Sequence, residues 1–276
     1  MHIQWYPGHM TKAVRMMEEN EKLVDAIIYV LDARAYRACF NPSFDKISTK
    51  PRLYVLNKID TIDEQSANAI VNKLKSEGKL VVTSNSISGK FANKVKEGLN
   101  TLLSPKIEKY KSKGINKTVR AMVLGVPNSG KSTLINSLCK GAKADAQNRP
   151  GVTRGKQWIR LSSNIELLDT PGTLWPSFEN QELALHLAFI GCINDNILDV
   201  EELACLLVNR LKQIDNLDFS ALFGADKEMD DYDIVLAYGK KRGFLVRGGE
   251  SDPERASKAL IDAFRKQKFG NICLER

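Results

Sequence analysis

Long hydrophobic runs are missing from this 276-residue chain. Runs such as Ala26–Leu31 and Ala121–Leu124 fall far short of the roughly 20 apolar residues that a membrane-crossing helix needs. The opening Met1-His2-Ile3-Gln4-Trp5 has neither the basic-then-apolar layout of a secretory signal nor the Arg/Ser richness of a transit peptide. The expectation is a cytoplasmic protein with no membrane partner. Cysteine is scarce: Cys39, Cys139, Cys192, Cys205 and Cys273 are scattered and odd in number, and no Cys-x-x-Cys pair occurs. That argues against a zinc knuckle and a disulfide framework, and it leaves small buried hydrophobes as their reading. Internal repeats and low-complexity tracts are absent too.

Positive charge, by contrast, is in excess. Lysine and arginine number 41 against 33 acidic residues, a formal net charge of +8, which favours a polyanion such as nucleic acid. A basic protein with a merely solvated surface would have the same total, so the distribution matters more. Lys106, Lys109, Lys111, Lys113, Lys117 and Arg120 crowd one connecting segment. Lys240, Lys241, Arg242, Arg255, Lys258, Arg265, Lys266 and Lys268 crowd the C-terminal part. Hydrophobic residues at 43% and charged residues at 27% are ordinary for a globular chain. The length suffices for an α/β core and a smaller second domain.

The spacing predicts a helix over 11–24, capped by Thr11. Buried-strand patterns follow at Ala26–Leu31, Arg52–Leu56 and Lys79–Thr83, alternating with helices over 63–77 and 90–103. Such alternation points to a parallel sheet covered on both faces. Ser104–Lys117 reads as a basic connector whose first part extends the preceding helix. Strands are predicted again at Arg120–Leu124, Trp158–Leu161 and Ile165–Leu168, with a helix through about Lys140. Beyond Pro176, Leu183, Leu187 and Ile190, then Leu203, Leu206, Leu207 and Leu211 recur at helical spacing, with Phe244–Val246 as one further strand candidate. The boundary is expected near Ser177–Asn180, giving an α/β domain over 1–178 and a mainly α-helical domain over 179–276.

Five features carry chemistry. Gly125-Val126-Pro127-Asn128-Ser129-Gly130-Lys131-Ser132 matches Gly-x-x-x-x-Gly-Lys-Ser, placed after a strand and before the helix that opens at Thr133. Its glycines let backbone N–H groups and the helix N-terminus face phosphates. Lys131 would neutralise β- and γ-phosphate charge, and Ser132 would offer its hydroxyl to Mg²⁺. Asp169-Thr170-Pro171-Gly172 follows the next strand. Alone it is a turn; downstream of a phosphate loop, Asp169 can hold a Mg²⁺-bound water and the Gly172 N–H can sense the γ-phosphate. Asn57-Lys58-Ile59-Asp60 selects the base. The Asp60 carboxylate can accept from guanine N1–H and N2–H₂, whereas adenine leaves that charge unsatisfied. Lys58 can cover the ring, and Asn57 can tie this loop to the phosphate loop; in isolation the same residues would read as a loop ahead of a helix capped by Asp63. Asn85-Ser86-Ile87-Ser88-Gly89 resembles the Ser-Ala-Lys loop of GTPases, in which a backbone N–H, here that of Ser86, would bind guanine O6; by itself such a Ser/Asn/Gly cluster is an ordinary turn. Finally, Thr153 lies where a threonine can complete the Mg²⁺ shell of bound GTP and order a switch loop.

The base motifs precede the phosphate motifs, the reverse of Ras-like order. In this order, and with Trp5-Tyr6-Pro7-Gly8-His9-Met10, Asp32-Ala33-Arg34 and Asp169–Pro176, the chain resembles the circularly permuted GTPases of the YlqF/RbgA family, ribosome biogenesis GTPase A, over essentially its full length. The resemblance implies a P-loop NTPase three-layer α/β fold with permuted motifs and a helical C-terminal domain that docks on RNA. It implies GTP hydrolysis stimulated by the 50S precursor, with rRNA and ribosomal proteins as partners and a monomeric free form. The position after Asp-x-x-Gly, where Ras-like enzymes place a water-orienting Gln, is Thr173, and family members usually carry an aliphatic residue there. The family points instead to His9 as the catalytic group; a packing or RNA-contacting role is its alternative. Asn128 stands where similar GTPases bind K⁺. A competing function, a GTP-dependent regulator of a membrane or protein partner, lacks a lipidation motif or an apolar basic helix to support it.

Overall fold

The computed structural model describes residues 1–4, 7–85, 91–140, 157–162, 164–215 and 217–275. Ser86 and Thr153 lie outside the described residues.

The chain opens with α1 (Gly8–Glu21), followed by β1 (Ala26–Asp32), α2 (Pro42–Ile47), β2 (Arg52–Asn57), α3 (Glu64–Ser76), β3 (Leu80–Ser84) and α4 (Ala92–Lys111). The second run is β4 (Val119–Leu124), α5 (Lys131–Lys140), β5 (Gln157–Ser162) and β6 (Ile165–Asp169). Only helices follow among the described elements: α6 (Gln181–Phe189), α7 (Val200–Lys212), α8 (Phe219–Phe223), α9 (Asp231–Lys241) and α10 (Pro253–Arg265). Phe244–Val246 contributes a single bridge, Leu245 to Ser251, rather than a strand.

The six strands lie in the order β3-β2-β1-β4-β6-β5. All pairs are parallel except β5 with β6 at one edge. Successive residues of β1 face opposite ways: Ile27, Tyr29 and Leu31 join one apolar cluster, and Ala26, Ile28 and Val30 join the other. A strand buried on both faces is a near-continuous apolar run, which is why Ala26–Leu31 looks as it does. The cluster containing Ile27 extends without a break into the helical part, through Leu187, Leu207, Val235 and Leu260.

One helix end differs from expectation. α1 begins at Gly8 with Pro7 before it, so Thr11 lies inside the helix and caps nothing. The helix after β3 does extend into the first part of the basic connector, running through Pro105 to Lys111. Proline cannot donate to the carbonyl four residues back. The Ser104 hydroxyl donates to that Thr101 carbonyl instead, at 3.1 Å. The basic connector is pinned at its far side: Lys106 Nζ and Lys117 Nζ lie 2.6 and 3.2 Å from Asp25, just before β1. Burial raises the Asp25 pKa, but these lysines and the Arg120 amide outweigh it and hold the carboxyl below its ordinary value.

Parallel pairing puts the carboxyl ends of β1, β2, β3, β4 and β6 on one edge of the sheet. After β1 the chain winds outward through β2 and β3, then returns to β4 on the other side of β1. The reversal makes the gap between the ends of β1 and β4 the switch point where α/β sheets bind ligands.

Candidate functional site

At the end of β4 the backbone turns through Asn128 (φ 56°) and Gly130 (φ 94°) before α5 begins at Lys131. A side chain on Gly130 would run into Asn57 Nδ2. Gly172 packs as tightly: a Cβ there would lie 2.6 Å from Pro127 Cα and 2.8 Å from Lys131 Nζ. The Asp-x-x-Gly turn thus rests directly on the phosphate loop. Lys131 curls over that loop, its Nζ donating to Gly125 O at 3.0 Å and Val126 O at 2.9 Å. Burial brings its pKa down to about 8, against the opposing pull of Asp169. The Thr170 hydroxyl anchors the start of the turn by donating to Val123 O at 2.5 Å.

The base side is assembled from more distant pieces. Asn57 ends β2 and donates through Nδ2 to Ser129 O at 2.9 Å, and its Oδ1 accepts from the Ser84 hydroxyl at 3.1 Å. One amide therefore joins the ends of β2, β3 and the phosphate loop. Lys58 is left-handed (φ 57°, ψ 38°), a conformation that a non-glycine residue keeps only when its surroundings over-determine it. Here they do: its Nζ donates to Asp32 Oδ2 and to Asn128 O, both at 2.7 Å. Asp63 caps α3 through the Ser66 amide at 2.8 Å. The Ile59–Thr61 turn, which carries exposed Asp60, is thereby left as a separate unit.

Asp32 is fully buried at the end of β1 and takes two bonds from the Arg34 guanidinium, at 3.0 and 2.8 Å. Burial would raise its pKa, but Arg34 and then Lys58 outweigh it and hold the carboxyl well below the usual carboxylate range. The sequence marks Asp32 and Arg34 only as a shared motif; a lone acid at a buried strand end was the available signal that it orients a neighbour.

An open cleft of about 490 Å³ runs between the two sides, lined by Lys58, Asn128, Lys131, Ser132, Thr170 and Gly172 among others. Pro127, Ser129, Thr133 and Asp169 stand with them on the same loops, and half-buried Asn85 follows β3. Asn128 Nδ2 donates away from the loop, to Gly191 O at 2.5 Å. His9 is exposed on the first turn of α1. Its neighbour Met10 is buried and receives the Leu174 amide on sulfur at 3.4 Å, so that turn packs beside the segment after Asp-x-x-Gly. Thr173 is buried, and its carbonyl accepts from Asn41 Nδ2 at 3.1 Å. His186 is a core histidine, 3.1 Å from Glu275.

Of the cysteines, Cys39, Cys192 and Cys273 are buried as expected, while Cys139 and Cys205 are half-buried. Part of the C-terminal basic cluster is taken up internally: Arg265 makes a two-pronged pair with Asp195, Lys258 meets Glu254 and Lys266 meets Asp262. The exposed pairs hold little energy, so their lysines remain exchangeable for other anions. Among the described residues, no helix is long and apolar enough to cross a membrane.

Residues 120–240 match the family described as "50S ribosome-binding GTPase". Ribosome biogenesis GTPase A of Bacillus cereus is 38% identical, with 100% of this chain and 94% of that protein covered. Its Thermotoga maritima counterpart is 30% identical over 99% and 94%. Mitochondrial ribosome-associated GTPase 1 of Bos taurus is 31% identical over 99% and 88%. Among solved structures, YlqF from T. maritima bound to GNP superposes with a TM-score of 0.69 at 28% identity, over 96% of this chain and 98% of that one. A GDP-bound YlqF gives 0.70 at 27%, over 95% and 99%. Full-length similarity at this level, on a sheet that brings permuted motifs to one edge, shows that the chain is a GTP-hydrolysing enzyme and belongs to the ribosome biogenesis GTPase A family.

Proposed function

We propose that the chain is a cytoplasmic, monomeric switch that binds a precursor of the 50S subunit in its GTP form and leaves after hydrolysis. The observation that carries this reading is the direct link between base and phosphate loops, Asn57 Nδ2 to Ser129 O and Lys58 Nζ to Asn128 O. One nucleotide bridging that junction would be read at both ends. Asp60 would accept from guanine N1–H and N2–H₂, Lys58 would cover the ring, and Asn85 with Ser86 would close the O6 side. The backbone N–H groups of Asn128–Thr133 and the Lys131 ammonium would hold the phosphates, Pro127 shaping the loop, with the Gly172 N–H at the γ-phosphate.

The oxygen donors at hand suit a hard cation that keeps part of its water shell, as Mg²⁺ does. The Ser132 hydroxyl, Thr153 and, through water, Asp169 would hold it, and it would neutralise charge building between the β- and γ-phosphates. Asn128 offers one amide oxygen to K⁺ while its nitrogen is engaged on Gly191. His9, on the α1 turn beside Leu174, would orient the attacking water in place of the glutamine that Thr173 is too short to imitate. The proposed division at 178/179 assigns catalysis to the sheet domain and RNA docking to the helical one, whose exchangeable lysines face rRNA phosphates.

Sucrose-gradient sedimentation with a non-hydrolysable GTP analogue tests the proposal. Co-migration with free 50S particles, lost with GDP, is the expected result. Absence of the protein from every ribosomal fraction would favour a switch acting on another protein or a membrane.

A further inference from the structure

The chain after α10 does not trail away from the nucleotide site. Gln267 turns it back with a left-handed residue (φ 59°), and Ile272, Cys273, Leu274 and Glu275 are then all buried. Some of their polar contacts reach α6 and α7, where His186 Nδ1 lies 3.1 Å from Glu275 and Arg210 Nε donates to Leu274 O at 3.0 Å; the others fall on two turns. On the turn that carries Asp60, Gln267 Nε2 donates to Asp60 O at 3.1 Å and Ile272 N donates to Thr61 O at 3.0 Å. On the turn after Asp32, Leu274 N donates to Arg34 O at 2.8 Å, and the Glu275 carboxylate accepts from the Arg37 and Ala38 amides at 2.5 and 3.0 Å. Arg34 in turn orients Asp32, which holds Lys58. This strap thus grips the two base-side turns.

From these contacts we infer that residues 267–275 are a positioning element of guanine recognition, holding the Asp60 and Arg34 turns in place, so that guanine occupancy and docking of the strap stabilise each other. The inference rests on the assignment of Asp60 to guanine made above. The physical reason is economical. An exposed carboxylate on a three-residue turn reads two base hydrogens well only if the turn is fixed. The described hydrogen bonds that fix the backbone of Asp60 and Thr61 from distant parts of the chain come from the strap. Coupling of this kind is reciprocal: whatever the strap adds to guanine affinity, guanine returns to the strap.

Cys273 reports strap docking, because its thiol is buried against Ala33 O. The experiment follows alkylation of Cys273 in the full chain by mass spectrometry, with and without saturating GDP. It also measures GDP and IDP affinities for the wild type and Gln267→Ala. IDP keeps N1–H but lacks the 2-amino group, so the GDP/IDP ratio isolates the 2-amino half of what Asp60 reads. GDP is expected to slow Cys273 alkylation about fivefold or more, half-maximally at its dissociation constant. Gln267→Ala is expected to weaken GDP several-fold and to narrow the GDP/IDP ratio. Alkylation indifferent to bound GDP would overturn the inference. So would equal weakening of GDP and IDP together with a lowered melting temperature, the pattern of a merely structural contact. Equal binding of GDP and ADP by the wild type would remove the guanine assignment itself, and the inference with it.

Discussion

The two walls of the nucleotide cleft are built in opposite ways. The phosphate wall is local: Gly125 to Ser132 form one turn whose lysine folds onto the loop's own carbonyls, and distant residues such as Gly172 and Asn57 press against a loop that is already formed. The base wall is a meeting of strangers. Asp32, Asn57, Lys58, Ser84 and the 267–275 strap come from the ends of three strands and from beyond the last long helix. A local wall tolerates circular permutation trivially, because nothing in it crosses the cut. The base wall survives permutation because its parts were never contiguous: the sheet, not the chain order, brings them together.

This contrast predicts that the base wall fails through stability and the phosphate wall through chemistry. The largest effect is expected at Asp32. Asp32→Ala would leave Arg34 buried without its carboxylate and release Lys58, and breaking a buried pair from one side costs about 3–5 kcal/mol. Urea unfolding checks this; a loss under 1 kcal/mol would show that the pair is not what holds this wall. Lys131→Ala is expected to leave the melting curve of the nucleotide-free protein near wild type while lowering GTP turnover about 100-fold or more, as removal of a preorganised charge stabiliser does. Unchanged phosphate release would discredit the phosphate loop. Glu275→Gln sits between the two. It retains shape but loses the charge that two backbone amides share, an expected cost of about 1.5–3 kcal/mol. Calorimetry should show that cost in unfolding, with turnover at saturating GTP unchanged.

The same contrast governs what could be read without coordinates. The strands were legible because apolar runs such as Ala26–Leu31 are bounded by polar turns, and the phosphate loop was legible because its residues are consecutive. The tie from Asn57 to the phosphate loop was also foreseeable, since an amide at that strand end has one partner across the switch point. Thr11 misled because a hydroxyl in the first turns reads as a cap while Pro7, which has no side-chain donor or acceptor, actually precedes the helix. The extension of α4 past Pro105 was legible, but the Ser104 hydroxyl that supplies the missing donor was not, because spacing does not specify it. The strap had no signal at all: Ile272 and Leu274 act through backbone N–H groups, which every residue possesses, and Glu275 looks like any acid near a chain end.

The smallest effect, and the sharpest separation of the two walls, is expected from pH. Burial lowers the Lys131 pKa to about 8 in the nucleotide-free protein, so near pH 8 about half of the molecules carry a neutral amine. Phosphate oxygens favour the ammonium and raise its pKa, so binding takes up a proton above this pH. GTP affinity is therefore expected to fall as pH rises through 8, by at most about tenfold per pH unit. The sign for folding is opposite. The unfolded chain keeps its lysine protonated up to the ordinary value, so between the two it binds more protons than the folded protein. Lys131 then contributes stability that rises with pH across that window and is a net penalty below it. Titration calorimetry in two buffers of different ionisation enthalpy would measure the proton uptake, and Lys131→Met should abolish it. Uptake that persists in that variant would move the titrating group to the base wall, and the division of labour between the walls would have to be redrawn.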